Sequence, residues 1–307
     1  MNIALFGATG FVGSYIIESL IENNYSPFIL VRENSQKKIF YSGQCKIISG
    51  DIDSLNSIEK TIESADVVIY NIGIIREFQN EGITFQKLHF EGVKRCVDIA
   101  KSMGVSRFIL MSANDVKNEG TDYQITKYKA EKYLKKSGLD YTIFRPSLIF
   151  GKPKLNEQIE FCVQLKKDIL NIPFPAPLFY KGFIPYNSGL FKLTPIHVKN
   201  VADFFVKSIT MMDSIGKTYN LGGRKTLTWE EILSLIAKAS KRNKWKIPVP
   251  ISPLNIVATL LEKFKWFPVT KDQLSMLIEG NTVSEDYFNQ FGIKPIDFSL
   301  ETLSYLN

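Results

Sequence analysis

The stretch IALFGATGFVG, residues 3–13, runs a short apolar strand straight into Gly7, Gly10 and Gly13. Ile3 to Phe6 read as a fully buried strand, and Phe11 to Ile21 carry the apolar period of a helix. Glycine in the turn between them permits φ > 0, lets backbone N–H groups approach a pyrophosphate and allows the helix to pack tightly on the strand. The helix N-terminus then offers partial positive charge to phosphate groups. Strand, glycine turn and helix in that order predict dinucleotide binding, the bland alternative being a tight turn that holds no ligand.

Outward from this turn the first half of the chain alternates strand and helix patterns. Strands are expected at Asn2–Phe6, Pro27–Val31, Cys45–Ile48, Asp66–Tyr70, Arg107–Met111 and Tyr141–Phe144, with helices notably over Thr84–Met103 and Asp122–Lys136. Such alternation of apolar strands with helices predicts an α/β fold, a Rossmann-type doubly wound parallel sheet covered on both faces. Its ligand belongs beyond the carboxyl ends of the strands, which gathers Gly7–Gly13, Arg32, Asp51, Asn71–Gly73, Ser112 and Pro146–Ser147 on one edge. After Gly151 the rhythm changes. Residues 171–189 are rich in proline, turns and aromatics and read as an irregular segment; Leu193–Met211 and Lys217–Leu221 return to the strand–helix pattern, and helices are expected thereafter. The division expected is 1–150 with 190–222 as the nucleotide-binding unit, and 151–189 with 223–307 as a smaller, mostly helical unit on the substrate or partner side.

Composition narrows the function. The 307 residues are 45% hydrophobic and 22% charged, an ordinary globular balance. The net charge of +7 is spread over lysines without a basic stripe interleaved with aromatics, which argues against nucleic acid but is compatible with nucleotides, acidic partners or an anionic membrane. With the first strand beginning at Asn2, no targeting segment is expected, and apolar runs fall short of a membrane span. Cys45, Cys96 and Cys162 are widely spaced, and neither His89 nor His197 has a second ligand at metal spacing, so no metal is expected and a reducing, cytoplasmic setting is.

Cofactor choice turns on the end of the second strand, where Arg32, followed by Lys37 and Lys38, suits a 2′-phosphate. NADP(H) is therefore favoured and NAD(H) stays open, because Glu33 could pair with Arg32 or bind a ribose, and Arg32 could be a solvated loop charge. Asp51 either accepts from the adenine amino group or caps the helix that begins near Ser54. Tyr123 and Lys127 stand at i and i+4 on a helix, so phenol and ammonium share a face; a nearby ammonium lowers a phenol pKa and fits it for proton exchange. Ser112, at the end of the fifth strand, is the hydrogen-bond partner for a substrate oxygen, or an ordinary strand-end serine. His89 reads as a packed, hydrogen-bonded residue and His197 as one that orients the junction between the units. In Pro253–Trp266, Leu254, Val257, Leu261 and Phe264 form an apolar stripe near Lys263, Lys265, Trp266 and Phe267, which is either core or a docking face for a membrane or membrane-bound partner.

GATGFVG (7–13), Gly50-Asp51, Ser112, YQITK (123–127) with Ala130-Glu131, and RPSLIFGKP (145–153) together resemble an atypical or extended short-chain dehydrogenase/reductase. More narrowly, VVIYNIGIIRE (67–77), FQKLHFEG (85–92), TPIHVKNVA (194–202), YNLGG (219–223) and PVTKDQLSMLIEGNTVS (268–284) are similar to the branch of the NAD(P)H-binding accessory subunit of respiratory complex I and its bacterial relatives. The resemblance implies that Gly7, Thr9, Gly10, Phe11, Val12 and Gly13 line a pyrophosphate and that Arg32 meets the 2′-phosphate. It further places Asp51 and Ile52 at adenine, Asn71 to Gly73 at the ribose side with Lys127, and Pro146 and Ser147 at nicotinamide. Two functions follow as expectations. One is an oxidoreductase using Tyr123, Lys127 and Ser112 on an unknown small substrate. The other is a non-catalytic nucleotide-binding subunit or assembly factor, peripheral at the inner face of a membrane. The branch binds a nucleotide without established turnover. His89 also replaces a relay asparagine, and the loop after Ser112 is reduced to SAND (112–115).

Overall fold

Ile3, Ala4, Leu5 and Phe6 have no exposed surface, and alternation along this strand sends its side chains into two different cores. Ile3 and Leu5 pack with Ile16, Ile17, Leu20 and Phe205, whereas Ala4 and Phe6 pack with Ile58, Ile62, Cys96 and Val97. A strand buried on both faces must lie inside a sheet with helices on either side. The computed structural model, which describes residues 1–262 and 270–307, has that architecture.

The first half comprises β1 (Asn2–Phe6), α1 (Phe11–Glu22), β2 (Ser26–Val31), β3 (Lys46–Ser49), α2 (Leu55–Ile62) and β4 (Val67–Tyr70). It continues with α3 (Gly92–Ser102), β5 (Arg107–Met111), α4 (Asp122–Lys135) and β6 (Asp140–Pro146). Then come β7 (Ile149–Phe150), α5 (Phe161–Leu165), β8 (Ala176–Tyr180), β9 (Lys192–Leu193), β10 (Ile196–His197), α6 (Val198–Ser208) and β11 (Lys217–Leu221). The chain finishes with β12 (Leu227–Thr228), α7 (Trp229–Ala239), β13 (Lys246–Pro250), α8 (Ile251–Leu261) and α9 (Lys271–Glu279). The main sheet has the order β11-β6-β5-β4-β1-β2-β3, parallel throughout. This is a Rossmann-type α/β fold. The strand order reverses between β1 and β4, so a crevice opens there at the carboxyl edge.

A third core gathers around Trp229, while Phe288, Phe291 and Ile293 near the C-terminus pack into the first core. The Trp229 ring stacks on Phe179 and Phe191, and its indole N–H donates to the Pro177 carbonyl at 2.9 Å. Two expectations are corrected here. Residues 171–189 are not wholly irregular: β8 pairs in parallel with β13, which the expectation of helices beyond β11 also omitted. Among the described side chains of α8 the buried ones are Ile251 and Ala258, with Leu254 partly buried, while Val257 faces outward at 41% exposure, which departs from the expected stripe; the Leu261 side chain lies outside the described ones. Lys263, Phe264, Lys265, Trp266 and Phe267 lie outside the described residues. Among the described residues no helix is long and apolar enough to cross a membrane.

At the edge of the sheet opposite the crevice, Arg107 is a buried cation. Its guanidinium donates to the Asp140 and Ser208 carbonyls (2.8 and 2.7 Å), Thr142 Oγ1 (2.8 Å) and Ser214 Oγ (2.9 Å), tying β5, β6 and α6 together. Burial lowers its pKa to about 10. Arg107→Leu removes the donors and leaves these acceptors unsatisfied, so urea denaturation should show a loss of about 3 kcal/mol. An unchanged midpoint would contradict this role.

Candidate dinucleotide site

The chain leaves β1 through Gly7, whose φ of +96° is open to glycine. A Cβ on Gly7 would stand 2.8 Å from the Asn71 carbonyl carbon, and one on Gly13 would overlap the Gly7 carbonyl oxygen. The turn is therefore bare backbone pressed against the end of β4, with Asn71 Nδ2 donating to the Gly7 carbonyl at 3.4 Å. Gly10 is the N-cap of α1, and no side chain caps it. A cradle that any Cβ would fill, facing an uncapped helix start, fits a pyrophosphate. Thr9, Phe11 and Val12 border it, all partly exposed.

Beyond β2, Arg32 is exposed and makes no ion pair among the described residues, with Glu33 included. Lys38 is held by Glu157 at 2.5 Å. Asp51 does not cap α2. Ser54 does so by accepting from Ser57 N, while Asp51 Oδ1 accepts from Asp53 N at 3.2 Å. Ile52 is buried in the second core. A strap from the segment between β7 and α5, missed in the sequence, crosses the glycine turn: Gln158 Nε2 donates to the Thr9 and Gly10 carbonyls at 3.3 and 3.2 Å. Nearby, Lys154 pairs with Glu18 at 2.8 Å, and its ammonium lies 4.7 Å from the Tyr15 ring centre and 5.0 Å from that of Tyr41.

Across β4, β5 and β6 the remaining candidates converge. A Cβ on exposed Gly73 would lie 3.7 Å from Lys127 Nζ and 3.9 Å from His89 Nε2. Lys127 Nζ donates to the Met111 carbonyl at 3.2 Å and sits 5.7 Å from the Tyr123 ring centre. Burial lowers the Lys127 pKa to about 8, against the pull of Glu131. Tyr123 is edge-on to Phe85 and His89, and its hydroxyl has no hydrogen-bond partner among the described residues. Burial drives its pKa upward, so a phenol lowered by Lys127 is not what this arrangement gives. Pro146 and Ser147 close this end, both buried; the Ser147 hydroxyl donates to the Thr194 carbonyl.

Ser112 departs most from expectation. Its hydroxyl donates to Glu131 Oε1 at 2.6 Å, and the Arg145 guanidinium grips the same carboxylate through two bonds of 2.7 and 2.5 Å. The Ser112 proton is thus committed, and only its lone pairs remain to accept. This Glu131–Arg145 pair was not singled out as functional, although an arginine inside the apolar run TIFRPSLIF calls for a buried partner. His89 is also committed: Nε2 accepts from Ile74 N at 3.1 Å, which leaves the proton on Nδ1, 3.3 Å from Thr126 Oγ1. Burial and the Lys127 charge hold its pKa well below the usual imidazole value. His197 caps α6 by accepting from Lys199 N at 3.2 Å and packs edge-on to Phe150.

The NAD(P)H-binding family profile matches residues 7–164. The mitochondrial NADH-ubiquinone oxidoreductase 40 kDa subunit of Neurospora crassa is 26% identical over 98% of this chain and 78% of its own length. A chloroplastic divinyl chlorophyllide a 8-vinyl-reductase of Cucumis sativus is 27% identical, over 88% of this chain and 65% of its own. In fold, the chain is similar to the Thermus thermophilus UDP-glucose 4-epimerase solved with NAD, with a TM-score of 0.73 at 15% identity over 100% and 97% of the two chains.

Burial depresses the pKa of both histidines, that of His197 to about 4 with help from the Lys199 charge. Both are neutral in the fold and gain protons on unfolding below the ordinary value of about 6.5. The unfolded chain then binds more protons, so their contribution is whole above that pH and is lost as the pH falls towards the native value. His197→Asn keeps a capping side chain but cannot titrate. It should remove about 1 kcal/mol of the stability change between roughly pH 7 and 5, read from urea midpoints; parallel pH profiles would contradict this.

Proposed function

This chain belongs to the NAD(P)H-binding family, and on that premise we propose that it is an NADP(H)-holding subunit or assembly factor of a membrane-associated complex. In this reading residues 1–150 with 190–222 hold the dinucleotide, and 151–189 with 223–307 face the partner. Gly7, Thr9, Gly10, Phe11, Val12 and Gly13 take the pyrophosphate, and Arg32 the 2′-phosphate. Asp51 and Ile52 meet adenine, Asn71, Gly73 and Lys127 the ribose, and Pro146 and Ser147 the nicotinamide. Arg32 supports NADP(H) over NAD(H) because it is an exposed guanidinium without an acidic partner among the described residues.

The observation that carries the non-catalytic reading is the Ser112–Glu131 bond. A serine whose proton is drawn to a carboxylate cannot also donate to a substrate carbonyl, and the partly buried phenol of Tyr123 has its pKa raised by desolvation. Likeness to a subunit of NADH-ubiquinone oxidoreductase supports the same reading. A second reading, an oxidoreductase, draws support from the unpartnered Tyr123 hydroxyl above Lys127 and from the likeness to a vinyl-reductase. There a bound dinucleotide supplies or accepts hydride, Tyr123 moves the proton at the substrate oxygen, and Ser112 can only accept a hydrogen bond.

Titration of the purified chain should show NADPH binding about tenfold or more tighter than NADH, and Arg32→Ala should remove that difference while leaving NADH unchanged. Equal affinities would overturn the 2′-phosphate assignment. Replacing the native copy with Tyr123→Phe should leave the membrane complex at its normal level, whereas Gly13→Ala should lower it. A Tyr123→Phe defect as deep as deletion would return the oxidoreductase reading.

A further inference from the structure

We infer that the edge formed by β8, β13 and the loop after β8 is a membrane-contacting surface that inserts into an interface of anionic lipid headgroups. The inference gives a location to the membrane association proposed above. It uses residues outside the dinucleotide crevice, so a vesicle assay and a nucleotide titration fail independently.

The first observation is where large apolar side chains meet solvent. Phe174, Phe183, Ile184, Tyr186 and Trp245 are each at least 65% exposed, with Phe183 fully so. A single exposed apolar residue needs no explanation, whereas five such residues from two segments joined by one ladder do. Topology sets these residues at the two ends of one parallel ladder. Ala176 N donates to the Trp245 carbonyl at 2.7 Å, which places Trp245 beside the start of β8, two residues from Phe174. Parallel pairing carries both strands to their far end, where Phe183, Ile184 and Tyr186 occupy the loop and α8 begins. Ile247, 45% exposed, lies between the two ends, and α8, which follows β13 directly, carries two further exposed apolar residues, Ile256 and Leu260.

The second observation is charge. Residues 172–190 and 241–261 contain Lys181, Lys241, Arg242, Lys244 and Lys246 and no aspartate or glutamate. Lys246 is held by Glu230, and Lys244 by the carbonyls of Leu170 and Ile172. Lys181, Lys241 and Arg242 are exposed and have no ion-pair partner among the described residues. Aromatic and aliphatic side chains set among unpaired cations are the chemistry of an interface with anionic lipid. A second copy would bring like charges together. A fully exposed phenylalanine in a loop is suited to insertion.

The test is co-sedimentation of the full chain with vesicles of phosphatidylcholine alone and of phosphatidylcholine mixed with phosphatidylglycerol. Binding is expected to the mixed vesicles, at least about tenfold stronger than to the neutral ones and weakened by salt. Phe183→Ser with Ile184→Ser should reduce it about tenfold, and Lys181→Gln with Arg242→Gln should remove the preference for anionic lipid, both with unchanged thermal unfolding. Failure of the native chain to sediment with mixed vesicles, equal binding to both lipids, or binding indifferent to the serine variants would each overturn the inference. So would self-association abolished by the serine variants in a chain that ignores vesicles, since the surface would then serve a second copy. Should the serine pair unfold the chain, Trp245→Ser carries the same expectation.

Discussion

The approach of Gly7 to the backbone of Asn71 is the constraint on which the rest of the nucleotide-side structure depends. β1 and β4 are neighbours in the sheet although residues 7–66 separate them in sequence, and the crevice exists because the chain after β1 turns away where the chain after β4 turns in the other direction. Glycine at position 7 lets the two backbones meet at the mouth of that crevice. Glycine at position 13 then lets α1 settle against the turn it has just left. A side chain at either place would lift α1 from the sheet, and with it the packing of Ile16, Ile17 and Leu20 on Ile3 and Leu5. The ligand cradle and the first core are thus one geometric requirement.

On the other side of the crevice, an ion pair performs the equivalent service. Glu131 is almost wholly buried, and Arg145 satisfies its charge with two parallel bonds. A buried carboxylate is costly unless paired and hydrogen-bonded. This one is both, since Ser112 supplies a further donor. The network fixes α4 against β6 and thereby fixes Lys127 and Tyr123, about one and two turns away on the same helix. It also commits the serine proton to Glu131. Rigidity of the site and the commitment of that proton have the same physical cause.

The nucleotide half was legible because its signals are local and periodic. Continuous apolar runs marked strands covered on both faces, and ends such as those of Arg107–Met111 and Asp122–Lys135 fall within a residue of the expected ones, whereas the helix expected over Thr84–Met103 runs as a π-helix at Gln86–Glu91 before α3. The direction of the Ser112 side chain was also within reach. It continues the parity of Phe108 and Leu110, which face the second core and its helices rather than the first. What could not be read was the pairing of β8 with β13. Proline punctuates both segments, APLFY and KIPVP, and proline ordinarily argues against a strand. In a two-stranded sheet every strand is an edge, so a missing N–H can point away from the partner at little cost. The commitment of His89 to Ile74 and Thr126 was equally unreadable in detail, because it depends on which tautomer the tertiary structure selects.

The strap over the glycine turn joins these levels. Gln158 Oε1 accepts from the backbone N–H groups of Lys154 and Leu155 while its amide nitrogen donates to Thr9 and Gly10, so one side chain is oriented from both ends. Lys154 adds an ion pair to Glu18, and Tyr15 donates to the Lys152 carbonyl at 2.8 Å. These bonds cross between the sheet that forms the crevice and the segment that leads into the third core. Partly buried charged bonds in a network resist opening more than exposed single pairs do. Whatever orders the glycine turn therefore also orders the chain leading to β8. The glycine turn and the segment that leads to β8 are thus ordered as one.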